Sequence, residues 1–141
     1  MKTKISALAD VPTPSGPCPI GIVKESLASD NCKWKFGWKI GFVSTNEALC
    51  IEDTASDLNI PEGEFMDMAA EVAGRNIYLR CYPARYGAYG DDVHCLIDIF
   101  FKSERTAKRF VKRLVEYGNE KCKKQKENEP TDAVKLTFEG K

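Results

Sequence analysis

The chain has 141 residues, 43% hydrophobic and 30% charged, with 21 Lys/Arg against 21 Asp/Glu. That length suits one domain burying about two thirds of its unfolded surface, and the composition is that of a globular chain, not a disordered one. Zero net charge excludes a uniformly basic surface for nucleic acid, so any electrostatic partner must be met by a patch. The charge is unevenly spread: residues 1–101 hold 9 Lys/Arg against 14 Asp/Glu and residues 102–141 hold 12 against 7, giving −5 and +5.

Near the N-terminus only Ile5 to Ala9 is apolar, too short for a signal peptide, and no run reaches the ~20 residues that span a bilayer. A cytoplasmic protein with no membrane association is expected. Six cysteines (Cys18, Cys32, Cys50, Cys81, Cys95 and Cys122) stand more than four residues apart, so the paired-ligand pattern of zinc sites is missing. In the cytosol they read as buried small hydrophobes with a few exposed free thiols; Cys81 and Cys95, cross-strand neighbours if the hairpin is centred near Gly87 or Ala88, could form a disulfide under oxidation but are expected as two buried thiols. No metal or cofactor is implied.

Residues 1–19 contain Pro12, Pro14, Pro17 and Pro19 with Ser15 and Gly16. Lost donors and added freedom predict an irregular or mobile arm, with residues 20–141 as a single α+β domain. Ile20 to Ser26 suits a short strand, and the Ser29-Asp30-Asn31 turn leads into the most strongly patterned stretch, K-W-K-F-G-W-K-I-G-F at 33–42. There Trp34, Phe36, Trp38, Ile40 and Phe42 alternate with Lys33, Lys35, Gly37, Lys39 and Gly41, a strand with one apolar and one basic face. Ala48 to Ile51 could add a third short strand.

From Pro61 the period changes. Phe65, Met68, Ala69 and Val72 share one helical face, with Pro61 in the first turn and Gly74 just past the end, so a helix over about 61–73 is predicted. Ile77 to Tyr82 alternates as a strand that Pro83 should stop; a loop over 84–92 precedes the strand Val93 to Phe101. Ser103 is a good N-cap for a helix with the stripe Ala107, Phe110, Val111 and Leu114, ending at Gly118 or fraying toward Pro130. Val134, Leu136 and Phe138 alternate in a last strand. From residue 33 the order is that of a ferredoxin-like βαββαβ sheet with two helices on one face, extended by the N-terminal strand.

Parity assigns the faces. The covered face should hold Trp34 to Phe42 on even positions, with Ile77, Leu79, Cys81, Val93, Cys95, Ile97, Ile99 and Phe101. The open face then holds Lys33, Lys35, Lys39, Tyr78, Arg80, Tyr82, His94, Leu96, Asp98 and Phe100. Its rings and cations suit base stacking with phosphate neutralisation. The loop residues Arg85, Tyr86 and Tyr89 extend the same surface, and Arg105, Lys108, Arg109, Lys112 and Arg113 add a cationic stripe on the second helix. The candidate partner-binding residues are therefore Lys33, Lys35, Lys39, Tyr78, Arg80, Tyr82, Arg85, Tyr86, Tyr89 and Phe100. In architecture this face is similar to that of RNA-recognition-motif domains, whose aromatics lie on the sheet. Lys39-Ile40-Gly41-Phe42-Val43 resembles part of their signature, though on the first strand, and Leu96 to Phe101 has no glycine where the signature has one.

No catalytic group is expected. His94 adjoins Cys95, but neighbours on a strand point to opposite faces, and Asp98, on the face of His94, is about 13 Å along the strand. Phosphate-cradling and dinucleotide motifs are missing. The carboxylates of 47–71 have no metal-like spacing and form an acidic surface that could meet a partner's basic site. The expectation is a non-enzymatic binding module acting through the open sheet face and the 84–92 loop. A small protein-interaction or inhibitor protein, or one that self-associates, leads; single-stranded nucleic acid (RNA) is the alternative partner.

Overall fold

The computed structural model describes residues 4–28, 30 and 32–127. Among them five strands form one antiparallel sheet in the order β1-β2-β3-β5-β4, accompanied by three helices. The strands are β1 (Ala9–Thr13), β2 (Gly16–Ser26), β3 (Phe36–Phe42), β4 (Ile77–Tyr86) and β5 (Asp92–Phe101); the helices are α1 (Ile51–Asp57), α2 (Glu62–Ala73) and α3 (Glu104–Glu127).

The proline-rich start is not an irregular arm. β1 and β2 form a hairpin registered from Ala9↔Ile20 to Thr13↔Gly16, turning through Pro14-Ser15. Gly16 takes φ +114°, and the Thr13 hydroxyl donates to the Gly16 carbonyl at 2.7 Å. Proline is tolerated here because β1 is an edge strand. Pro17 and Pro19 fall where β2 is registered with β1 alone, since its register with β3 starts at Ile20↔Phe42. The other edge strand, β4, likewise carries a proline, Pro83, and runs through it to Tyr86. The expected 84–92 loop thus shrinks to a turn around Gly87–Asp91.

The ferredoxin-like arrangement is not realised among the described residues. β5 lies between β3 and β4, but the free side of β3 is taken by β2, which precedes it in the chain. The segment 134–138, expected as the last strand, lies outside the described residues. Ala48 to Cys50 is not a strand; Cys50 is the N-cap residue of α1, and only Phe42↔Glu47 forms an isolated bridge. The helix read at 61–73 is α2, opened by Pro61 and closed by Gly74 at φ +60°. Ser103 caps α3, its Oγ accepting from the Thr106 amide at 3.2 Å. Gly118 does not end that helix. A Cβ there would sit 2.7 Å from the Pro12 carbonyl oxygen, so glycine lets α3 lie close against β1.

The main core fills the helix-covered face: Val11, Ile20, Ile40, Phe42, Ile99 and Phe101 from the sheet, Phe65 and Met68 from α2, Phe110, Val111 and Leu114 from α3. Phe101 and Phe65 pack their rings 4.9 and 5.1 Å from that of Phe110. Arg113 to Glu71 (2.9 Å) and the Tyr117 hydroxyl to Glu64 (3.1 Å) tie α3 to α2 at the rim.

The second face is not open along its length. Ile5 is buried on it, held by its amide donating to Asn46 Oδ1 at 2.7 Å. A Cβ on Gly41 would meet Ile5 Cδ1 at 2.6 Å, and one on Gly37 would meet Phe100 Cβ and Leu27 Cδ1 at 2.8 and 2.9 Å. The odd-numbered glycines of β3 thus admit a thin apolar layer made by Ile5, Leu27 and Phe100. Leu27 and Phe100 are wholly buried.

Candidate functional site

β3 and β5 share a single registered pair, Trp38↔Phe101. Beyond it the ladder stops and the two strands separate. Lys39 and Asp98 face each other across that gap, their side chains 4% exposed and 3.1 Å apart. Both were expected on a solvated face; both are buried. An unpaired charge there would cost several kcal/mol, so each is the condition for burying the other.

Around this pair the neighbouring strands build a network. Arg80 on β4, registered opposite Asp98, reaches Asp98 Oδ2 at 2.9 Å and Glu25 of β2 at 3.3 Å. Tyr82 donates to Asp98 Oδ1 at 3.4 Å and Tyr78 to Asp30 at 2.9 Å. The Arg80 guanidinium and Lys39 ammonium lie 4.8 and 5.3 Å from the Phe100 ring centre, within cation–π range. Burial works against the charged form of Arg80, but its hydrogen bond to Asp98 and the charges of Asp98 and Glu25 outweigh that and raise its pKa. Tyr82 is raised by burial and by Asp98, and Tyr78 by its bond to Asp30. All three side chains are thus held in the protonation states they have at neutral pH.

Where the strands separate, a groove of about 470 Å³ opens on the second face. Glu25, Lys39, Arg80 and Asp98 give it charge, Ala48, Leu49 and Leu96 an apolar wall, and Tyr82, Cys50 and Asp53 complete the lining. Burial pushes the Cys50 thiol up, away from a nucleophilic thiolate; the Asp53 amide works against this and the Asp53 carboxylate adds to it.

The second candidate is the outer half of the β4–β5 hairpin. Parity placed Leu79, Cys81, Val93, Cys95 and Ile97 under the helices, and they do share the face of Ile77, Ile99 and Phe101. The helices cover only the base of that face. Leu79, Val93 and Ile97 are 47%, 52% and 36% exposed. Cys81 and Cys95, expected as two buried thiols, form an exposed disulfide between these residues, with Cα atoms 6.3 Å apart. At the tip Arg85 donates to the Gly90 carbonyl at 3.0 Å, and Tyr89 is 92% exposed. His94 is a surface histidine, 3.2 Å from Asp92 and edge-on to Tyr86.

The ten residues expected at the site therefore divide. Lys39, Tyr78, Arg80, Tyr82 and Phe100 come together, but as a paired, largely buried network instead of a free basic and aromatic platform. Arg85, Tyr86 and Tyr89 gather at the hairpin tip, while Lys33 and Lys35 are exposed ahead of β3. Glu25 and Asp30 were not singled out, and Asp53 only as one of the 47–71 carboxylates. For Glu25 and Asp30 the one sequence signal is Arg80 on a sheet face, where a cation needs a carboxylate once covered. Among the described residues no group of three or more His, Cys, Asp or Glu is placed to hold a metal, and no helix is long and apolar enough to cross a membrane. Comparison with models of protein families, with curated proteins and with solved structures yields no match.

Proposed function

We propose that the protein is a non-enzymatic binding module that docks a protein partner through the outer half of the β4–β5 hairpin. One observation carries this reading: Leu79, Val93 and Ile97 stand exposed on one face around the Cys81–Cys95 bridge, with α1 and the start of α2 reaching only its edge at Cys95 and Ile97. A contiguous apolar surface of this kind marks an interface, and the cross-link holds its side chains in place before binding, which lowers the ordering cost. Tyr86 and Tyr89 at the tip are the residue type that anchors such contacts. An exposed disulfide suits an oxidising compartment better than the cytosol expected from the N-terminal sequence.

The RNA alternative draws less support from the same geometry. Lys39 and Arg80 are neutralised by Asp98 and Glu25, and Phe100 has no face free for stacking. A photo-cross-linking residue at Leu79 or Ile97, installed in the source cells, should capture one defined protein species, and Ile97→Asp should abolish capture from position 79. The same residue at Lys112 on α3 should not capture that species. Equal capture from position 112, or none from the hairpin, would sink the reading, and a captured second copy of this chain would identify the partner as itself.

A further inference from the structure

The groove between β3, β5 and residues 48–53 is separate from the hairpin face, and three of its features point to an occupant. First, Lys39 is 96% buried by side-chain area, and among the described residues Asp98 is the only carboxylate within ion-pair distance. An ammonium has three N–H donors, the pair with Asp98 uses one, and Lys39 lines the groove. Second, the β3–β5 register holds only Trp38↔Phe101, the far end of β3 bridges to Glu47 instead, and the groove lies between residues 48–50 and β5, a break in the sheet of the kind found at functional sites. Third, the charges are interleaved. Lys39 meets Asp98, Asp98 meets Arg80, and Arg80 meets Glu25, at 3.1, 2.9 and 3.3 Å.

That interleaving selects the ligand class. Lys39 and Arg80 are outnumbered by Glu25, Asp98 and Asp53 of the lining, so the groove presents no positive end for an anion or for the carboxylate of a zwitterion, while the two fixed cations repel a cationic ligand. What persists is a row of fixed donors and acceptors at short spacing. Vicinal hydroxyls, each both donor and acceptor, match such a row without carrying charge. The Leu49, Leu96, Ala48 and Tyr82 wall offers an apolar surface for the C–H face of the same molecule, and about 470 Å³ is within the usual range of small-ligand sites. We propose that this groove binds a neutral polyhydroxylated ligand, a sugar residue, free or at the end of a glycan.

Titration of the isotope-labelled full chain, followed by amide NMR, tests this. Glucose, galactose, mannose and N-acetylglucosamine, and oligosaccharides ending in each, would be compared at millimolar concentration with inorganic phosphate, glutamate and arginine. At least one sugar should give saturable shifts at Ala48, Leu49, Tyr82 and Leu96, with none from the ionic compounds. A tighter oligosaccharide than monosaccharide assigns the glycan source, and the reverse assigns the free sugar. Arg80→Gln should weaken binding about tenfold by removing charged hydrogen bonds. Ala48→Trp, which fills the groove and leaves the ion pairs alone, should abolish binding with the rest of the spectrum unchanged. The proposal fails if no sugar shifts these amides saturably, if an ionic compound does so instead, or if the folded Ala48→Trp variant binds as before.

Discussion

The two ends of the β4–β5 hairpin follow one alternating pattern and meet opposite fates. At its base, Phe100 and Phe101 point to opposite faces and both are wholly buried, one under Leu27 and the Tyr78 side chain, the other under α3. Four residues further along β5, on the face of Phe101, Ile97 is 36% exposed, and its neighbour Leu79 is 47% exposed. Alternation states which residues share a face. Whether that face is covered depends on elements elsewhere in the chain, here on how far α1 and α3 reach. The apolar tip therefore contributes little to folding and is available for something else.

The largest test of this contrast is paired truncation. Phe100→Ala and Phe101→Ala should each cost about 3–5 kcal/mol in denaturant unfolding. Leu79→Ala and Ile97→Ala should stay within about 0.5 kcal/mol, as for surface positions. A small loss at Phe100 would mean that the second face is not a core. Next in size is the disulfide. Its sequence separation is 14 residues, and closing a loop of that size is worth at most about 3 kcal/mol. Replacing Cys81 and Cys95 by serine should speed amide exchange over 79–97 while β2 and β3 keep their protection; equal acceleration in both would show that the hairpin unfolds only with the rest.

The smallest effect lies outside the hairpin, where α3 meets α2. Burial and the hydrogen bond to Glu64 push the Tyr117 hydroxyl up from 10 to about 12. A raised folded pKa favours the protonated phenol in the native state, so its contribution is full below pH 10 and is lost as pH rises through about 12. Tyr117→Phe should flatten the alkaline fall of melting temperature across that window while leaving the exchange of 79–97 unchanged. A fall as steep as in the parent protein would assign the alkaline loss to other groups.

Local signals in the chain were sufficient for α2, with its 3.6-residue period, Pro61 and Gly74, and for the start of α3 at Ser103. The two faces of β3 were legible for the same reason. The β1–β2 hairpin was not, because four prolines read as breakers unless one knows that β1 is an edge and that Pro17 and Pro19 lie before β2 meets β3. Ile5 reaches the sheet from the segment before β1, and Leu27 and Asp30 from the β2–β3 connection, and no periodicity announces a side chain that covers a strand from outside it. Gly37 and Gly41 were the available clue: small residues alternating on a strand face that was read as basic mark close cover. Asp98 was legible on the face of Lys39 and Arg80, and the expected order already set its strand between theirs; the burial that makes the pairing obligatory was not legible.

Pro12 and Pro83 stand in the two edge strands, and this fixes the manner in which another molecule can approach. A naked edge invites an incoming chain to extend the sheet through main-chain hydrogen bonds, the route both to strand-donating partners and to fibrillar assembly. A proline in each edge removes a donor from that row and blunts both ends of the sheet at once. The protein is thereby kept from recruiting chains indiscriminately by their backbones. On the proposed reading, a partner of the hairpin engages its side chains face-on, and recognition there rests on shape.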